Sequence, residues 1–151
     1  MAISEDNQRY LQELVNRNIL TIGDLNNVPP TISDMPSILA EVGRAIDKPA
    51  YLAYALQQEP VYLRIPEMRM DESFLDSLPM DALYELTESL IVPLCKIADT
   101  IWLGVGRPAP CDLGRIQEIL HTKNIGWNIL LPEEFIAIFR QLEQKKGKLC
   151  Q

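Results

Sequence analysis

Between residues 77 and 140 the chain alternates short β-type apolar runs with turn signals, and that alternation most constrains the folds open to it. Ser77-Leu78-Pro79 is followed by Ile91-Val92-Pro93-Leu94 and then by Ile101-Trp102-Leu103-Gly104-Val105. An amphipathic stretch comes next, and after it Trp127-Asn128-Ile129-Leu130-Leu131-Pro132-Glu133-Glu134. Short runs of branched and aromatic residues bounded by Pro, Gly or Asp read as strands. The runs 91–98 and 100–105 are separated by little more than Asp99, which predicts a hairpin. Asp112 predicts the cap of a helix with Leu113, Ile116, Ile119 and Leu120 facing inward, and residues 125–131 a further strand. Pro132-Glu133-Glu134 opens a last helix whose buried stripe is Phe135, Ile138, Phe139 and Leu142. The order is a ββαβα unit, a small sheet covered mainly on one side.

Upstream the periodicity is helical. Tyr10, Leu11, Leu14 and Val15 share one helix face, with Ser4 as its predicted N-cap and Asn18 as its stop. Thr21-Ile22-Gly23-Asp24 has the spacing of a capping box for a short second helix, and Pro29-Pro30 forces an extended link. Ser33-Asp34-Met35-Pro36 starts a third helix carrying Ile38, Leu39, Val42 and Ile46. Asp47-Lys48-Pro49 starts a fourth with Leu52, Ala55 and Leu56 inward. Pro60 marks the change of pattern. Val61-Tyr62-Leu63-Arg64-Ile65 is strand-like and is closed by Pro66. Phe74, Leu75 and Leu78 predict a brief helical turn, and Met80, Leu83, Tyr84 and Thr87 a longer helix. The expected fold class is α/β (α+β). A helical subdomain over residues 1–58 precedes an α/β unit with a three- to four-stranded sheet over 59–144, and 145–151 form a basic tail.

Charge and motifs exclude several function classes. The formal net charge is −7, so the chain carries no broad electrostatic footprint for nucleic acid or anionic lipid. Lys145, Lys146 and Lys148 form its basic cluster and complement a helix C-terminus. Cys95, Cys111 and Cys150 are widely spaced and odd in number, which points away from a disulfide scaffold and toward a reducing compartment. Cys95 lies in a strand-like run and reads as a small core residue. No signal-peptide pattern opens the sequence and no apolar stretch approaches spanning length, so a cytoplasmic protein without direct membrane insertion is expected.

No catalytic constellation emerges. A P-loop needs G-x-x-x-x-G-K-[ST], whereas Gly147-Lys148 is followed by Leu149 and preceded by Leu142 at the first glycine position. Gly104-Val105-Gly106-Arg107-Pro108-Ala109 matches G-x-G-x-x-A after a strand, with Glu133 beyond the next strand. Pro108 and Pro110 remove backbone donors from the loop that would hold pyrophosphate, and Asp112 adds negative charge there; a structural turn is expected instead. His121 stands at a helix end without Cys or carboxylates at metal spacing. The pairs Asp71-Glu72 and Glu133-Glu134 sit at helix starts, where anionic side chains stabilise free N–H groups. Ser73, Ser77 and Ser89 have no histidine partner in view.

From Tyr51 to Leu142 these motifs resemble the N-terminal domain of type II secretion and type IV pilus assembly ATPases. Tyr62-Leu63, Leu78-Pro79-Met80-Asp81-Ala82-Leu83, Val92-Pro93-Leu94 and Ile101 through Pro108 are similar to that family's successive elements, with Arg107 where it usually has aspartate. Gly126, Ile129 and the stretch from Glu133 to Phe139 resemble its last strand and closing helix. The resemblance implies a non-catalytic docking or regulatory domain. It would bind a cytoplasmic domain of the inner-membrane assembly-platform protein, beside a parent ATPase hexamer, with no nucleic-acid partner. A branch typified by mannose-sensitive pilus ATPases binds cyclic di-GMP through paired leucine-rich segments. Residues 9–25 partly resemble one such segment, with Arg9, Leu14, Val15, Ile19, Leu20 and Leu25 on matching positions. Leu11 and Asn18 stand where that motif has glycines, which removes close backbone approach to a ligand. A cyclic di-GMP sensor is therefore the alternative.

Overall fold

In the computed structural model the described residues are 5–32, 34–58, 62–108 and 113–147. Four helices come first: α1 (Glu5–Asn16), α2 (Ile22–Asn26), α3 (Met35–Val42) and α4 (Lys48–Ala55). Local signals set their ends. Asn18 takes a left-handed φ of 60° after α1, and the Leu14 carbonyl accepts from the amides of Ile19 and Leu20. The capping box closes in both directions: Thr21 Oγ1 accepts from the Asp24 amide at 3.1 Å, and Asp24 Oδ2 accepts from the Thr21 amide at 3.2 Å. Asp34 and Asp47 cap α3 and α4, each just ahead of a proline that the first turn tolerates. Ser4, Ser33, Val61, Asp112, Cys111, Cys150 and Lys148 lie outside the described residues.

The second part contains α5 (Glu72–Asp76), α6 (Met80–Glu88), β1 (Ile91–Ile97), β2 (Thr100–Val105), α7 (Leu113–Leu120), β3 (Ile125–Ile129) and α8 (Pro132–Lys146). The expected ββαβα order is present. β1 pairs antiparallel with β2 from Ile91↔Val105 to Ile97↔Thr100, with a bulge at Leu94; β2 pairs parallel with β3 from Ile101↔Ile125 to Val105↔Ile129. The strand-like stretch after Pro60 contributes a single parallel bridge, Leu63↔Asn128. The Leu63 amide donates to Trp127 and the Leu63 carbonyl accepts from Ile129, both at 2.8 Å. Asn128, fully buried, extends this join: its Oδ1 accepts from the Ile65 amide and its Nδ2 donates to the Ile65 carbonyl, each at 2.9 Å. One side chain thereby satisfies a backbone donor and acceptor that have no neighbouring strand.

Strand alternation places Ile101, Leu103, Val105, Trp127 and Ile129 on one sheet face, and all five are buried. The other face is closed at one end, where Phe135 of α8 lies on Gly106. A Cβ added to Gly106 would meet the Phe135 ring at 2.5–3.0 Å. Toward the hairpin this face is half open, with Trp102 partly exposed across Gly126 and Ile97 exposed. Cys95 shares that face and is partly buried, packed against the core rather than enclosed in it.

The buried apolar side chains form one cluster that includes Leu14, Leu39 and Tyr51 from the first four helices and Leu83, Leu103, Phe135 and Phe139 from the rest. α3 packs against α8, where Gly43 stands beside Pro132. Two helix faces differ from the periodicity. In α4, Tyr51 and Tyr54 are buried with Ala55, while Leu56, at the C-cap, is exposed. In α7, Ile116 and Leu120 are buried but Leu113 points to solvent.

Candidate interaction surface

A buried polar junction ties the first helices to the turn after β2. The hydroxyls of Tyr10 and Tyr51 both donate to the Gly106 carbonyl at 3.4 Å, and the Tyr51 hydroxyl also reaches the Leu130 carbonyl at 3.1 Å. Beside them an Arg107 amino nitrogen donates to Asn7 Oδ1, while the Arg107 Nε is buried without a partner. Burial pushes both phenols well above the ordinary tyrosine range, and the neighbouring Tyr51 raises Tyr10 further. These groups therefore stay neutral at physiological pH and act as donors. The turn that superficially matched a dinucleotide fingerprint is thus occupied by protein: Phe135 covers Gly106, and two tyrosines hold its carbonyl.

A second polar clasp fixes the start of α8. Arg64 donates to both Glu134 oxygens at 2.7 and 3.1 Å and to the Ile129 carbonyl at 3.1 Å, and Glu134 Oε1 accepts from the Leu131 amide at 2.8 Å. Glu133 pairs with Lys48 of α4. Both carboxylates expected at this helix start thus have structural roles. His121 is exposed at the end of α7 in a left-handed conformation. Among the described residues no group of three or more His, Cys, Asp or Glu side chains is arranged to hold a metal ion. Burial and the Asp71 carboxylate raise the Cys95 thiol, which disfavours a reactive thiolate.

The residues on the leucine-rich positions do not share one surface. Leu14, Ile19 and Leu20 are buried in the core, and Val15 and Leu25 are partly buried against it. Arg9 projects from α1 into solvent and pairs with Glu5 and Asp6 one turn earlier, both at 3.6 Å. Lys145 and Lys146, the described part of the basic cluster, pair with Glu72 and Asp76 of α5.

An open surface with an exposed aromatic side chain lies on α6. This helix buries Ala82, Leu83, Leu86 and Thr87 and turns Asp81, Tyr84 and Glu88 outward. Tyr84 is 43% exposed and is the one aromatic side chain in the exposed class among the described residues. Glu85, on the edge of the same face, receives the Arg115 guanidinium from α7 through both of its oxygens, which holds its carboxyl below the usual range. Leu113, two residues before Arg115, is also exposed. The result is an aromatic ring set among carboxylates. Aromatic residues in such positions are over-represented where proteins meet.

Comparison with protein-family models, curated proteins and solved structures finds no match. Among the described residues no helix is long and apolar enough to cross a membrane.

Proposed function

We propose that this chain is a non-catalytic docking or regulatory domain that binds a cytoplasmic domain of an inner-membrane assembly-platform protein. The N-terminal domains of type II secretion and type IV pilus assembly ATPases do this for their parent enzymes. In this reading the chain works in the cytoplasm and is held at the inner membrane by its partner. The observation that carries it is the outward face of α6, where Tyr84 stays exposed amid Asp81 and Glu88 although the same helix buries Leu83 and Leu86 completely. A large exposed aromatic that folding leaves outside the core is free to be covered by a partner. The ββαβα order, with an antiparallel hairpin followed by a parallel crossover, adds support because it is the order that the resemblance implies.

The test is co-purification of the chain with the cytoplasmic domain of an assembly-platform protein encoded in the same genome, read by size-exclusion chromatography. A stoichiometric complex is expected. Cyclic di-GMP titrated calorimetrically should give no saturable heat at about 10 μM, which corresponds to roughly −7 kcal/mol of binding. Failure of the complex, together with tight cyclic di-GMP binding that Arg9→Ala abolishes, would replace docking by nucleotide sensing.

A further inference from the structure

The α6 face carries one further step, which rests on the docking reading and names the partner's chemistry. From Met70 to Cys95 the sequence contains six carboxylates and no lysine or arginine. Three of them already hold cations of this chain. Glu72 and Asp76 take Lys145, Asp76 also takes Lys146, and Glu85 takes Arg115. Asp81 and Glu88 carry exposed carboxylates that enter no hydrogen bond or ion pair among the described residues. Helical spacing sets Asp81 three residues before Tyr84 and Glu88 four residues after it, so all three share one face.

The protein itself shows what such a combination receives. At the end of α1 the Arg17 guanidinium lies 4.9 Å from the centroid of the Tyr54 ring and pairs with Glu13. An aromatic face and a carboxylate together satisfy one guanidinium there. Tyr84 with Asp81 and Glu88 offers the same two acceptor types on open surface, unfilled by any described cation of this chain. We propose that the Asp81–Tyr84–Glu88 face of α6 receives an arginine side chain from a segment of the protein partner. Arginine fits better than lysine because its planar guanidinium stacks on the ring while its N–H groups still reach a carboxylate.

The probe is a fluorescent amphipathic helical peptide with arginine and leucine at helical spacing, titrated into the full chain by anisotropy beside its lysine and glutamate counterparts. The arginine peptide should bind at least about fivefold tighter than the lysine peptide, the ratio that roughly 1 kcal/mol of cation–π and bidentate preference gives. The glutamate peptide should not bind. Tyr84→Phe should keep the preference and Tyr84→Leu should abolish it. Asp81→Asn with Glu88→Gln should weaken arginine-peptide binding about tenfold at low salt. Glu41→Gln with Glu67→Gln, an equal change of charge elsewhere on the surface, should leave it unchanged. Equal binding of the arginine and lysine peptides, or a Tyr84→Leu variant that still discriminates, would overturn the assignment. Capture of the platform domain that survives every α6 variant would remove this face from the docking reading without removing docking. An arginine preference in a chain that captures no platform domain would do the reverse.

Discussion

Tyr51→Phe tests the junction between the first helices and the sheet, and its effect should depend on pH. The fully buried Tyr51 hydroxyl donates to the Leu130 carbonyl at 3.1 Å and, more weakly, to the Gly106 carbonyl at 3.4 Å. Phenylalanine leaves Gly106 with the Tyr10 hydroxyl but deprives the Leu130 carbonyl of its side-chain donor. An unsatisfied buried carbonyl costs about 2 kcal/mol, the penalty expected for the variant near neutral pH. The phenol of Tyr51 is held above its unfolded value of about 10, so its contribution is complete below that pH and is lost above it, where the unfolded chain releases its proton first. At pH about 11 the wild type has lost about 1.4 kcal/mol through this one group, whereas the variant has nothing to lose there. The penalty should therefore shrink to roughly 0.6 kcal/mol at that pH. Urea unfolding followed by far-UV circular dichroism at both pH values measures it. A penalty that stays constant with pH would show that the hydroxyl is not held protonated in a buried site.

The two glycines on the second sheet face should answer differently to the same methyl group. Gly106→Ala drives a Cβ into Phe135, which is fully buried and stacked on Phe139, and should cost about 3 kcal/mol in urea unfolding. Gly126→Ala meets the partly exposed Trp102 ring first, and that ring can swing out, so it should cost under about 1 kcal/mol and shift tryptophan emission to the red. Asn128→Asp replaces the Nδ2 donor facing the Ile65 carbonyl with an acceptor in a fully buried site, and about 3 kcal/mol should be lost by the same assay. Equal costs for the two glycine variants, or a neutral Asn128→Asp, would contradict the packing described above.

What the sequence made legible was whatever short-range chemistry decides. The Thr21–Asp24 box, the Asp34 and Asp47 caps, and the hairpin around Asp99 are closed by groups within a few residues of one another, so spacing alone identified them. Helix faces were harder, because periodicity shows that a stripe exists but not which side chains long-range partners will claim. In α4 the inward stripe turned from Leu56 toward Tyr51, since the Tyr51 hydroxyl finds carbonyls at Gly106 and Leu130 that lie far away in sequence. Leu113 opens an apolar stripe, yet it stands at the first position of α7, where the core contact rests on Ile116 and Leu120 instead. Arg64 carried no signal at all: its partners, Glu134 and the Ile129 carbonyl, exist only once the segment after Pro60 lies beside β3.

The candidate surface was half legible for the same reason. In the sequence Tyr84 belongs to the apolar spacing of its helix, and Asp81 to a leucine-proline helix start. Their outward orientation follows from the commitment of Leu83 and Leu86 to the core, which rotates the helix until Tyr84 faces solvent. The absence of lysine and arginine between Met70 and Cys95 could be read from the chain at any time, but charge composition alone does not separate a solvated face from a binding one. What separates them is geometry. Carboxylates met by Lys145, Lys146 and Arg115 are already compensated, whereas Asp81 and Glu88 flank an exposed ring as Glu13 accompanies Tyr54 beneath Arg17. On the proposed reading the ring between the charges, rather than the charges, would give this surface its specificity, so substituting Tyr84 should discriminate more sharply than neutralising any single carboxylate.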